Sequence, residues 1–154
     1  MHPNMTSLNP PIAPSAIAAF ERSRAITLPA SYRAFLQATN GGVPKLSVFP
    51  VQGRPRAPLD NVQSFLGIGV PGIPTDELAY AYDLYIGGFP FGIVPIANQD
   101  EGNYVCLDLR GGNEKVVFWD KSHFWSTGEW REKDLYAVAD SFDEFLALLR
   151  PNPY

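Results

Sequence analysis

Groups able to act as nucleophile, base or metal ligand are scarce in this sequence. There is one cysteine, Cys106, and there are two histidines, His2 and His123. Neither C-x-x-C nor H-E-x-x-H spacing occurs, so a zinc site is not expected. Cys106 with His123 would be the minimal thiol–base pair. Cys106 falls within an alternating strand pattern, however, where a packed thiol is the expectation. Gly67-Ile68-Gly69-Val70-Pro71-Gly72 is a literal G-x-G-x-x-G. A dinucleotide site needs a helix to begin inside that motif, so that free N–H groups meet the pyrophosphate. Pro71 and Pro74 lack N–H groups and the next helical pattern starts near Asp76, which predicts a proline–glycine turn instead. Asn98, Asp100 and Gly102 have the spacing of a calcium loop, but Leu109 stands where the bidentate acid belongs. Acidic pairs such as Asp108 with Asp120 would serve a glycosidase only at a defined separation across a cleft. G-x-S-x-G and Walker A patterns are lacking. No catalytic residue, no cofactor and no metal is therefore expected, and the chain is read as a non-enzyme.

Aromatic residues are the stronger signal. Phe118, Trp119, Phe124, Trp125 and Trp130 crowd into one short stretch, mixed with Asp120, Glu129, Glu132 and Asp134. Trp119 is expected to fill a sheet core. Trp125 and Trp130, in a polar context, fit either an edge cover or a recognition surface, the kind of place where aromatic side chains carry binding energy. A small-molecule or enzymatic site lined by Trp119, Tyr104 and Asp108 is a further alternative.

The elements that would position these residues follow from periodicity. Residues 1–14 hold Pro3, Pro10, Pro11 and Pro14 and are expected to be a loose, flexible tail. Ser15 is the expected N-cap of a short helix carrying Ile17, Phe20 and Glu21. Tyr32, Phe35, Leu36 and Thr39 follow at i, i+3, i+4, i+7, one buried helical face after Leu28-Pro29. Asn40-Gly41-Gly42 should stop that helix, with Gly supplying the left-handed C′ residue. A short strand is expected around Leu46–Phe49 and another over Asn61–Ile68. Thr75 is the expected cap of a helix starting Asp76-Glu77 and burying Leu78, Tyr82 and Tyr85. Gly92–Ala97, Asn103–Leu109 and Lys115–Trp119 form strands joined by Asn98–Gly102 and Gly111–Asn113 turns, an antiparallel meander. Asp120–Asp134 reads as a loop and Leu135–Ala139 as a short edge strand. Ser141-Phe142-Asp143-Glu144 is a capping box opening a helix with Phe142, Phe145, Leu146 and Leu149 on its buried stripe, ended by Pro151. The fold class is α+β: an antiparallel sheet with two N-terminal helices, a middle helix and a C-terminal helix. One domain is expected over 15–150, with a short tail at 151–154.

Composition fits this outline. The 154 residues are 45% hydrophobic and 18% charged, with 15 prolines and 13 glycines. That suits one packed, turn-rich domain. Net charge is −4, which argues against a general nucleic-acid binder. The charge is divided: residues 1–60 are net positive and residues 61–154 strongly negative. A partner met through electrostatics is then expected to be basic. No apolar run is long enough to span a membrane, and neither a membrane nor a signal peptide is expected. A lone cysteine suits a reduced, cytoplasmic protein.

The order of these motifs resembles the SUKH superfamily of Smi/Knr-type domains. The opening carries Phe20-Glu21, Leu28-Pro29, Tyr32, Phe35-Leu36 and Asn40-Gly41-Gly42. The strand–turn–strand centre carries Pro95-Ile96-Ala97, Asp100, Gly102-Asn103 and Cys106-Leu107-Asp108. Val117-Phe118-Trp119-Asp120 and Ala139–Leu146 complete it. Ala25-Ile26-Thr27 stands where the family often has a glycine, and Lys121-Ser122 intervene between Trp119-Asp120 and His123. The resemblance implies a protein-binding domain: bacterial members resemble immunity proteins that neutralise a cognate toxin, and fungal relatives are linked to cell-wall synthesis and signalling as regulators or scaffolds. It transfers no catalytic residue. With the acidic excess, it points to a basic toxin domain met by Asp100, Glu101, Asp120, Trp125, Glu129, Trp130 and Glu132.

Overall fold

Adjacent residues of a strand point to opposite faces of its sheet, and here neighbours on the central strands are buried alike. Tyr104, Val105, Cys106 and Leu107 are all buried, as are Val116, Val117, Phe118 and Trp119. A sheet of this kind must be covered on both sides. The computed structural model, which describes residues 5–153, shows how.

Helices α1 (Pro14–Arg24) and α2 (Ala30–Thr39) come first. Strands β1 (Val48–Pro50) and β2 (Leu59–Asn61) pair as a small hairpin. A five-stranded antiparallel meander follows, ordered β3-β4-β5-β6-β7. Its strands are β3 (Ser64–Phe65), β4 (Ile93–Asn98), β5 (Tyr104–Asp108), β6 (Lys115–Trp119) and β7 (Leu135–Ala139). Helix α3 (Leu78–Tyr85) lies between β3 and β4, α4 (Ser122–Thr127) between β6 and β7, and α5 (Phe142–Leu148) ends the fold. The chain is thus α+β, with the meander and the flanking helices where periodicity puts them. Pro95, which cannot donate to a ladder, sits at an irregularity in the β4–β5 register, where a missing N–H is tolerated.

One face of the meander is closed by α2, α5 and the β1–β2 hairpin. Phe49 meets Phe118 and Phe145 at 6.2 and 5.2 Å, and Phe35 meets Phe65 and Phe142 at 4.9 and 5.1 Å. The other face is closed by α3, Phe89, α4 and the segment before β7. Tyr85 meets Trp119 edge-on at 5.1 Å, and Phe89, Phe124 and Trp130 surround the same indole at 5.4–5.8 Å. No helix among the described residues is long and apolar enough to cross a membrane.

Several local expectations shift. Residues 5–10, within the stretch expected as a tail, are docked: Met5 is buried, and Thr6 N–H and Val43 N–H exchange bonds with Val43 O and Ser7 O at 2.7 and 3.1 Å. Residues 1–4 lie outside the described residues. Pro14 occupies the first turn of α1 behind Ala13, so Ser15 is not the cap. Asn40 itself, at φ 51°, takes the left-handed position that ends α2, before Gly41. The strand expected over 61–68 is divided between β2 and β3. A 3₁₀ turn at Pro74–Asp76 displaces the third helix, whose N-cap is Glu77 and not Thr75. The Gly67–Gly72 motif is indeed a turn: Gly67 N–H bonds to Asp76 O and Val70 N–H to Glu77 Oε1, and α3 begins only at Leu78. Asp120–Asp134, expected as a loop, contains α4. Ser141 Oγ accepts from Glu144 N–H at 3.1 Å as the capping box requires. α5 stops before Pro151, because Arg150 turns extended to pair with Val48.

Asn40 joins three separate segments. Its side chain donates to Pro10 O and Ile68 O at 2.8 and 2.9 Å and accepts from Ile68 N–H at 2.8 Å. The residue is fully buried. Asn40→Ala orphans these groups and is expected to cost roughly 2–4 kcal/mol, read as a fall of roughly 4–16 °C in Tm. Gly87→Ala, at a glycine with nothing within 4 Å of an added Cβ, should leave Tm nearly unchanged.

Candidate protein-recognition groove

The two walls of the groove are the β4–β5 turn and α4. Gln99, buried, holds the turn from inside: its Oε1 accepts from Glu101 N–H and Asn103 N–H at 2.9 and 3.2 Å, and Gly102 N–H bonds to Gln99 O at 3.0 Å. With the amide turned inward, Asp100 and Glu101 are left outward and exposed. Asn98, the first position of the calcium-like spacing, spends its amide on Ser64 Oγ, Thr75 O and Asp76 Oδ1. The segment is a polar hairpin turn. Among the described residues, no three His, Cys, Asp or Glu side chains gather as a metal site would need.

α4 has only six residues, too few to persist without tertiary support. Asp120 supplies it at the start: Oδ1 accepts from Ser122 N–H at 3.1 Å and Ser122 Oγ at 2.6 Å. Its Oδ2 accepts from Arg54 Nη2 at 3.2 Å, and Arg54 also pairs with Asp60 and lies 4.6 Å over the Phe118 ring. Burial pushes the Asp120 carboxyl up, but the Ser122 bonds and the Arg54 charge outweigh it, so the group titrates below the usual carboxylate range. Phe124 anchors the inner side of α4 on Trp119, and Gly128 at φ 72° ends it. Lys121 N–H bonds to Asn103 Oδ1 at 2.8 Å and so ties the two walls together.

Between them lies an open groove of about 460 Å³, lined by Glu101, Gly102, Asn103, Lys121, Ser122, Trp125 and Ser126. Trp125 is 80% exposed, the most exposed large apolar side chain of the described residues. Lys121 Nζ sits beneath it, 5.3 Å from its ring centroid.

Of the candidates singled out by sequence, Glu101 and Trp125 meet in this groove. Asp100 is beside it on the turn, bonded to Asn61 at 2.9 Å. Glu129 is exposed just past α4, 3.5 Å from His123 Nε2. Asp120 is turned inward to Arg54 and Ser122 and offers little surface. Trp130 is half-buried against Phe89 and Trp119, a core cover. Glu132 is bound by Arg110 at 2.7 Å, remote from the groove lining. Lys121, Asn103, Ser122 and Ser126 were not singled out; the only sequence signal for Lys121 is that it interrupts the spacing after Trp119-Asp120.

The other chemistries do not assemble. Cys106 is fully buried, and burial pushes its thiol far above the usual range, so it is not a thiolate at neutral pH. The Trp119–Tyr104–Asp108 pocket is a packed face instead. Trp119 is fully buried and stacked on Tyr104, while Asp108 at the far end of β5 is clasped by Arg110 at 2.9 Å. The charge division along the chain is also spent internally. Arg24 and Arg54 of the basic half pair with Asp83 and Asp120 of the acidic half. What survives as local negative charge at the groove is Asp100, Glu101 and, nearby along the chain, Glu129.

Comparison with known proteins bears on the whole arrangement. SPbeta prophage-derived uncharacterized protein YokK of Bacillus subtilis (strain 168) is 37% identical over 89 residues, which cover 55% of this chain and 42% of YokK. The match therefore spans less than half the length of that relative. The SMI1/KNR4 family (SUKH-1) matches residues 11–148, from α1 through α5 with every strand between them: the chain belongs to the SMI1/KNR4 (SUKH-1) family.

Proposed function

We propose that this chain is a binding protein of the immunity type, which neutralises a basic toxin domain by direct contact through the groove between the β4–β5 turn and α4. The observation that carries the reading is Trp125, a large side chain left 80% exposed on a helix whose other aromatic, Phe124, is used for packing. Exposed tryptophans with fixed surroundings are the residues that become binding hot spots. Glu101, Asp100 and Glu129 supply negative charge around it, suited to steering a basic partner. Asp120 and Trp130 act from behind: one starts α4, the other packs the segment that follows it. Membership of a family whose domains serve as interaction modules supports the same reading.

Co-expression with the toxin-like product of an adjacent gene tests it. Growth is expected to be rescued and the two proteins to co-purify; a partner that still kills, with no complex formed, ends the proposal. In a complex, Trp125→Ala is expected to weaken Kd about 30-fold, the size of a hot-spot loss of about 2 kcal/mol, with Tm unchanged within a few degrees.

Asp120 gives a pH prediction. Its carboxyl titrates lower in the folded chain than the usual value of about 3.9 in an unfolded one. Its stabilisation of α4 is thus complete above pH ~4 and is lost as pH falls through the folded value. Asp120→Asn should therefore melt lower than the wild type already at neutral pH, and the gap between the two Tm values should close as pH falls through the folded value of Asp120.

A further inference from the structure

The groove contains a charge whose position the fold does not demand. Lys121 Nζ lies 5.4, 5.2 and 5.3 Å from the ring centroids of Tyr85, Tyr104 and Trp125. It donates to no carboxylate: Lys121 is in none of the ion pairs among the described residues. Its polar contact is with Tyr85 Oη, at 3.0 Å. Three rings aimed at one point are the arrangement that recognises an alkylammonium group, through the negative potential of the ring faces.

We infer that Tyr85, Tyr104 and Trp125 form a recognition cage for a lysine ammonium of the partner protein, and that Lys121 is its resident stand-in, leaving the cage when the partner docks. The inference rests on the groove being the docking face. The geometry supports the exchange at both ends. Lys121 is pinned by its backbone, whose N–H bonds to Asn103 Oδ1 at 2.8 Å, so only its flexible side chain has to move. A destination is at hand: Glu101 is exposed, lines the same groove and has no cationic partner among the described residues. The intervening Gly102 would bring a Cβ to within 3.9 Å of Lys121 Nζ, so the turn backbone already borders the ammonium. Once swung out, Lys121 pairs with Glu101, and its charge no longer opposes the incoming one. Because one ammonium replaces another, cage attraction nearly cancels. The cage then serves selectivity for a basic side chain at that point, while the surrounding contacts set affinity.

The probe is n-butylammonium chloride, with 1-butanol as the neutral control, followed by NMR at the three indole N–H groups. Lys121→Ala empties the cage and should bind n-butylammonium about tenfold more tightly than the wild type, moving the Trp125 indole signal. 1-Butanol should not do so, and Lys121→Ala/Trp125→Ala should bind neither. Lys121→Met refills the cage with a neutral stem and should bind no better than the wild type. Equal binding by wild type and Lys121→Ala, or equal binding of 1-butanol, overturns the cage. Should Lys121→Ala fail to fold, the wild type decides: the Lys121–Trp125 nuclear Overhauser contact must vanish at saturating n-butylammonium, and its persistence overturns the inference. A toxin bound equally by wild type and Lys121→Ala, with no n-butylammonium binding, removes the cage and keeps the groove. Binding of n-butylammonium without any toxin neutralised keeps the cage and removes the immunity reading.

Discussion

Phe118 and Trp119 are consecutive, both fully buried, and on opposite faces of β6. That single constraint organises the molecule. A strand that carries two bulky aromatic rings outward in both directions cannot leave either face in water, so the sheet needs two separate covers. The Phe118 side receives α2, α5 and the β1–β2 hairpin, with Phe49 against Phe118 and Phe145 against Phe49. The Trp119 side has less to work with. It is closed by one medium helix, α3, and by short pieces: Phe89, the six-residue α4 and the segment bearing Trp130. The groove forms where these short pieces end.

Because the second cover is assembled from fragments, polar ties between distant segments hold it. Arg54 reaches from the β1–β2 hairpin to Asp120 at 3.2 Å, and Asp120 in turn starts α4. Arg110 clasps Asp108 and Glu132, fastening the segment before β7 to the end of β5. Exposed ion pairs in isolation contribute little. Here the Arg54 side chain is only 12% exposed and rests on the Phe118 ring, so its pairing is shielded from water and fixed in geometry. The same two-ended carboxylate therefore links the first face of the sheet to the groove on the second.

Much of this was legible in the residues. The meander was, since β4, β5 and β6 are short apolar or alternating runs separated only by brief Asn/Asp/Gly turns, a spacing that suits consecutive hairpins. The stripes of α2 and α5 were, since Tyr32, Phe35 and Leu36, and Phe142 and Phe145, repeat at helical spacing and are buried. What was hidden has a common cause: it depends on partners far away in sequence. α4 is too short to register as a period, and its start is a carboxylate bonded to an arginine 66 positions earlier. Residues 5–10 have no periodicity, yet they add backbone pairs beside Val43. Trp125 and Trp130 lie in the same polar stretch with similar neighbours. Only the path of the chain decides that one packs on Trp119 while the other faces solvent. The same holds for Lys121, which sequence presents as one charge in a loop and the fold presents beneath three rings.

Trp125 and Phe124 show how cleanly the short helix separates folding from recognition. Consecutive residues on a helix lie about 100° apart, so burying Phe124 against Trp119 and Tyr85 necessarily turns Trp125 away from the core. Its fixed contact is then Lys121, on one ring face, while the opposite face is open. Removing the indole leaves Phe124, Asp120 and Gly128 untouched, and these are the groups that start, anchor and end α4. The side chain with the largest exposed apolar surface is therefore also one that the fold can lose at small cost. A residue so placed is free to be set by what the groove must hold, and the acidic turn opposite it sets the sign of that charge.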